Sequence, residues 1–240
     1  MKRFTIITVC LILSFSLKAL AQENDYLTDQ LEFLSIPKGG VMFGKSLPPP
    51  DTKGSYFLND EWSETGMLEL YMGKAIDGVQ LKYNMNSNLL YVKLEGSDEH
   101  YFLEGNKIKS FIIEHESMGV VQKFINASEF SKDMSKAEGF YEIYLDAEPY
   151  SIVRSNYTYM KKANYVAGVD MGRRDNEIKK KMDYFVFDGD KLIKVRGSNN
   201  KNLNLFGNKR NQIKEYAKIN SLNLKEPADL VKAVVYYNSL

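Results

Sequence analysis

Cysteine is almost absent from this chain: the only one in 240 residues is Cys10, inside an apolar run near the start. One cysteine can form no intramolecular disulfide and no multi-thiolate zinc site, and its place in a run read below as a cleaved leader leaves no cysteine nucleophile in the mature chain. Histidine is nearly as scarce, with His100 and His115 alone. Neither has a partner at i,i+4, so no helix carries an H-E-x-x-H zinc motif. Within Glu114-His115-Glu116 a strand would set both carboxylates on one face and the imidazole on the other, so the three cannot converge. Both histidines are expected at surface strand ends. No G-x-S-x-G elbow is present either.

Excess charge is missing as well. The chain holds 32 Lys and Arg against 31 Asp and Glu. Nucleic-acid binders need a basic footprint, and this balance argues against one. Long apolar runs are confined to residues 4–17, which fall short of the ~20 residues a membrane-spanning helix needs. With Lys2 and Arg3 before it and Ala19-Leu20-Ala21 after it, this run has the form of a secretory signal peptide cleaved after Ala21. Its removal leaves 29 basic and 31 acidic residues and no cysteine. The expectation is an exported protein, periplasmic or extracellular, with no transmembrane segment after cleavage.

Residues 22–53 read as an N-terminal arm. Tyr26, Leu27, Leu31, Phe33 and Leu34 suit a short helix or strand, and Pro37, Gly39-Gly40 and Pro48-Pro49-Pro50 break up the rest of the arm. Gly39 to Ser46 matches the phosphate-loop pattern G-x-x-x-x-G-K-[ST]. That chemistry requires a buried strand before the loop and a helix starting at Lys45. Three prolines directly behind Ser46 forbid such a helix, so the match is read as coincidence.

The central signal lies between Ile76 and Leu94. Val79, Leu81 and Tyr83 alternate with polar residues, Asn84 to Asn88 turn the chain, and Leu90, Val92 and Leu94 resume the alternation. This predicts a β-hairpin with Leu81, Tyr83, Leu90 and Val92 in the core. Further strands are predicted at 66–71, 100–103, 108–114, 120–125, 140–145, 152–157, 184–187 and 192–195. Asp188-Gly189-Asp190 makes the turn between the last two. The fold class is mainly β, as an antiparallel meander, a sandwich or a partly closed barrel, with a short α-helical C-terminal segment. The domain reading is a β domain over 54–197 and a helical segment over 198–240 packed on it. In that segment 208–220 is a polar helix with Ile213, Tyr216 and Ala217 on one side. Pro227 opens a final helix whose inward stripe is Leu230, Val234 and Tyr237.

YFLNDEW, the LKYN and LLYVKL arms of the hairpin, GFYEIYLD and the tail from NLFGNKR to ADLVKAVVYYN resemble an uncharacterised family of exported bacterial proteins. Its members have a β-rich body that ends in a lysine-rich helical tail closing on Tyr-Tyr-Asn. The likeness covers nearly the whole chain after the leader and departs from it at 173–181. It implies the fold and carries over no functional residue.

No residue is assigned a catalytic, cofactor-binding or metal-ligating role, and no cofactor is implied. Asp183, Asp188 and Asp190 lack the remaining oxygen ligands of a calcium loop and are read as hairpin-turn residues. Arg173-Arg174 and Lys179-Lys180-Lys181 are read as a solvated loop shielding an edge strand, with an anionic partner as the competing reading. The aromatics are read as core and cross-strand packing. Two function classes remain. One is a non-catalytic envelope module that binds a partner protein, with an apolar-ligand carrier as a variant. The other is a small exported hydrolase using carboxylates from separate strands.

Overall fold

The structure is a computed structural model that describes residues 26–36, 51–130, 138–165 and 171–240. The leader 1–21 and the phosphate-loop match at 39–46 lie outside the described residues.

Among the described residues twelve strands form two sheets. The smaller consists of β4 (Val79–Asn84), β5 (Leu89–Leu94) and β6 (His100–Glu104), all antiparallel. The larger runs in the order β1 (Thr52–Lys53), β11 (Asn176–Phe187), β10 (Ser151–Lys161), β9 (Phe140–Leu145), β8 (Val120–Asn126), β7 (Ile108–His115), β2 (Thr65–Leu70) and β3 (Ala75–Ile76). β12 (Leu192–Lys194) pairs with the end of β11. Among the described strands one pairing, β1 with β11, is parallel, and the sheets do not close into a barrel. Mainly β with a helical C-terminal segment is therefore the fold, and its first half is a two-layer sandwich.

The hairpin β4–β5 forms as its pattern predicts. Val79 pairs with Leu94, Leu81 with Val92 and Tyr83 with Leu90. In the turn, Asn84 Oδ1 accepts the amides of Asn86 (3.0 Å) and Ser87 (3.2 Å), and Asn88 takes the left-handed conformation at φ 52°. Asparagine does both at low cost. Leu81, Leu90 and Val92 are fully buried and Tyr83 nearly so. They pack face to face on Leu68, Ile113, Phe111, Phe124 and Phe140 of the larger sheet. Tyr83 fixes the join, with its ring centroid 5.6 Å from that of Phe111 and 5.3 Å from that of Phe140.

Residues 56–63 run beside β4, whose outer edge they cover: Tyr83 O accepts from the Leu58 amide and Leu81 O from that of Ser63. The short helix 26–34 buries Leu31 and Leu34 in the same core. Just past it, the Ile36 amide bonds Phe102 O and so covers the edge of β6.

A second core lies on the same face of the larger sheet, at the other end. The helices Arg210–Ile219 and Pro227–Asn238 pack Ile213, Leu230, Ala233 and Val234 on Ile152 of β10 and Val186 of β11. Pro227 takes the first helical turn, where its missing amide costs nothing. Leu230 and Val234 are fully buried; Tyr237 is half-buried and stacks on Tyr150 at 4.4 Å.

Three expectations need correction. Lys179, Lys180 and Lys181 are not in a loop: they belong to β11 and pair with Tyr159, Thr158 and Tyr157 of β10. Asp183 is also inside β11 rather than in the turn. His115 is buried instead of sitting on the surface, because 56–63 crosses over the end of β7 and brings the Asn59 amide 3.4 Å from His115 Nε2.

Candidate binding face

The larger sheet has two faces with different fates. The inner face of β7 to β11 carries Phe111, Phe124, Glu142, Arg154 and Tyr184 in one cross-strand row. Both cores lie against this face, and Glu142 with Arg154 stands between them. Glu142 accepts from Arg154 Nη2 at 2.5 Å, from Asn156 Nδ2 at 2.8 Å and from Gln122 Nε2 at 3.1 Å. Burial disfavours the Arg154 cation, but its bonds to Glu142 and Tyr184 outweigh that and raise its pKa. A buried carboxylate with this many donors is fully satisfied, so this group ties the two cores together.

The small sheet and the two long α-helices pack on the inner face, not on the outer one. Strand alternation places Ile125 of β8, Tyr141 and Ile143 of β9, Val153 of β10, and Phe185 and Phe187 of β11 on it. The 3₁₀ turn Ala127–Phe130 after β8 adds Phe130, whose ring lies 5.5 Å from Tyr141 and 5.1 Å from Phe187 in edge-to-face contacts. Tyr141 and Phe185 are 5.6 Å apart. Val153 is fully buried among these side chains, while the others stay half-buried. Burial pushes the Tyr141 hydroxyl pKa up. The result is an open trough of about 620 Å³, floored by Ile125, Ile143, Phe130 and Phe187 and rimmed by Asp146, Glu148 and Asp188.

Two of the rim carboxylates have partners of their own. Asp146 lies 3.6 Å from the Lys123 ammonium, and Asp188 accepts the amides of Asp190 and Lys191 within its turn. Beyond Phe185 the outer face turns polar at Asp183. Lys194 donates to its carboxylate at 2.5 Å and the Tyr157 hydroxyl at 3.1 Å. The Lys194 hydrogen bond, helped by that from Tyr157, holds Asp183 below the usual carboxylate range. Past Asp183 come the pairs Tyr157–Lys181 and Tyr159–Lys179.

The two histidines stay apart in role. His100 stacks among Trp62, Tyr91 and Phe102 on the small sheet, and His115 is held by Asn59. Among the described residues no group of three or more His, Cys, Asp or Glu side chains is placed to hold a metal ion. No helix among them is long and apolar enough to cross a membrane. The trough is hidden in the sequence because each aromatic reads as core. The available signal is that β9 and β11 carry apolar residues on both faces, as in Phe140/Tyr141 and Val186/Phe187, whereas an open sheet covers one face only.

The chain matches no family model, no curated protein and no solved structure.

Proposed function

We propose that this protein is an exported, non-catalytic component of the bacterial envelope that works by docking a partner protein through the trough on the outer sheet face. The observation that carries this reading is the pairing of filled cores with an open aromatic face. Both cores are packed by the protein's own side chains, while Phe130, Ile143 and Phe187 stay half-buried around an open depression. An open apolar depression of this kind, rimmed by polar groups, is the ordinary form of a protein interaction site.

The test is recovery of a partner from the protein's own cells by cross-linking at the trough. A specific envelope protein should be captured by the parent and lost in Ile143→Asp/Phe187→Asp, provided that variant keeps the parent's melting temperature. Equal capture by both proteins, or none by either, overturns the reading.

A second reading, a small exported hydrolase, draws on the three rim carboxylates, Asp146 and Glu148 from the β9–β10 loop and Asp188 from the β11–β12 turn. It predicts turnover of a glycan, ester or peptide that Asp188→Asn or Glu148→Gln abolishes. Such turnover would replace the docking reading.

A further inference from the structure

We propose that Asp77 is a site of spontaneous covalent modification, at which the folded protein converts aspartate to isoaspartate through a cyclic succinimide. This goes beyond the trough and does not depend on what the trough binds. Asp77-Gly78 is the whole link between β3 (Ala75–Ile76) of the larger sheet and β4 (Val79–Asn84) of the smaller one. Both residues are exposed. Neither belongs to a ladder, since β3 pairs through Ala75 and Ile76 and β4 begins its pairing at Val79. The Gly78 amide meets the carboxylate of its own neighbour instead, 2.8 Å from Asp77 Oδ1.

That contact sets the reacting groups side by side. The Gly78 amide nitrogen gives up its proton and bonds to Asp77 Cγ. One carboxylate oxygen leaves as water, carrying that proton and one from solvent. A second water then opens the ring. Attack at Cγ restores aspartate, whereas attack at the main-chain carbonyl leaves the chain running through Cγ, as isoaspartate. Water is the sole reactant besides the chain itself. Glycine leaves the nitrogen accessible: Gly78 holds φ at +68°, and a Cβ there would meet nothing within 4 Å.

The chain has one other Asp-Gly pair, Asp188-Gly189, and the fold treats it differently. Asp188 Oδ1 accepts the Asp190 and Lys191 amides at 3.1 and 2.9 Å, which ties the carboxylate to amides further along its turn instead of to that of Gly189. The same dipeptide is thus set for reaction at one site and held back at the other. At Asp77 the consequence falls on the core. Ile76 and Val79 on either side are fully buried and pair with Leu68 and Leu94. Isoaspartate adds a methylene to the backbone between them and so displaces one or the other from its register.

The experiment ages the full chain in warm neutral buffer made with heavy-oxygen water, once folded and once in urea. Both Asp-Gly peptides are then mapped by mass spectrometry with electron-transfer fragmentation, which tells isoaspartate from aspartate. In the folded protein, isoaspartate and heavy oxygen should accumulate at Asp77 and not at Asp188. In urea, where the turn contacts are gone, the two sites should react at similar rates. Asp77→Glu, whose ring would be larger and slower to close, should lose the product. The aged parent should melt below fresh protein, and aged Asp77→Glu should not.

A folded protein that leaves Asp77 unlabelled, or that labels Asp188 as fast as Asp77, overturns the proposal. Reaction of Asp77 in urea alone does so too, because the fold would then protect the site rather than poise it. Conversion at Asp77 with no drop in melting temperature overturns the consequence drawn for Ile76 and Val79.

Discussion

Glu142 and Arg154 stand directly opposite each other on β9 and β10, joined by bonds from Arg154 Nε and Nη2 to both carboxylate oxygens. Their side chains are 6% and 18% exposed. The pair lies where the face covered by the small sheet gives way to the face covered by the helices. Polar groups this deep hold a fold in one arrangement more than they add to its stability, since desolvation offsets most of their attraction.

Removing one partner should therefore cost more than removing both. Arg154→Met is expected to destabilise by ~3–5 kcal/mol, because it leaves the Glu142 carboxylate buried without its cation. Glu142→Leu/Arg154→Met should recover most of that loss. Urea melts of the three proteins check this. A double variant no better than the single one would show the pair to be a net source of stability.

The close approach of the two sheets at Gly66 gives a second test. A Cβ there would come within 2.6 Å of Ile112 O and 2.9 Å of Leu81 Cδ1. Backbone cannot yield cheaply, so Gly66→Ala should destabilise by ~1–3 kcal/mol through overpacking. Gly73→Ala meets nothing within 4 Å. Its cost should come from positive φ alone, so the two melts should differ in size. Equal effects would place the strain in the backbone at both sites.

How legible each strand is in the sequence depends on what it covers. β4 and β5 are legible because one face is core and the other is not, which writes a period of two into Val79, Leu81, Tyr83 and Leu90, Val92, Leu94. The first half of β11 is not. From Asn176 to Met182 its outer face meets water and its inner face is covered at Ile178 by the backbone near Gly54. A single isoleucine therefore stands among lysines, and the segment reads as a loop. His115 escapes detection because the segment that buries it, residues 56–63, is more than fifty positions away. The trough is invisible for the reverse reason. Tyr141, Ile143, Phe185 and Phe187 look like core, and only the strand order puts them on the face opposite both cores.

Acid should weaken the outer-face hub. Lys194 and Tyr157 hold the Asp183 carboxyl below its ordinary value. A depressed carboxylate contributes stability above its unfolded pKa of ~4 and loses it as pH falls through the lower folded value. Asp183→Asn should thus lower the melting temperature at neutral pH, and the gap from the parent should close below pH ~4. A gap of constant size across the titration would mean that packing, not charge, is what Asp183 supplies.

The tail should prove inseparable from the sheet. Leu230, Ala233 and Val234 are fully buried against Ile152 and Val186. A helix of this length is marginal on its own in water, so the sheet and the helix each depend on the contact. A two-way clasp registers them: Asn238 Nδ2 donates to Tyr150 O at 2.8 Å, and the Tyr150 amide donates to Asn238 Oδ1 at 3.1 Å. Above the clasp the Tyr150 and Tyr237 rings stack, and burial together with a hydrogen bond between the two hydroxyls pushes the Tyr150 pKa up to about 12. Deleting residues 225–240 should expose Ile152, Val186 and Ile213 and lead to aggregation. Asn238→Ala is the gentler probe. It leaves the helix intact but orphans the amide and carbonyl of Tyr150, at a cost of ~1–3 kcal/mol. Hydrogen exchange at the Tyr150 amide should rise with it, ahead of global unfolding. A truncated protein as soluble and heat-resistant as the parent would show the helices to be an appendage. Unchanged exchange at Tyr150 in Asn238→Ala would show that stacking alone sets the register.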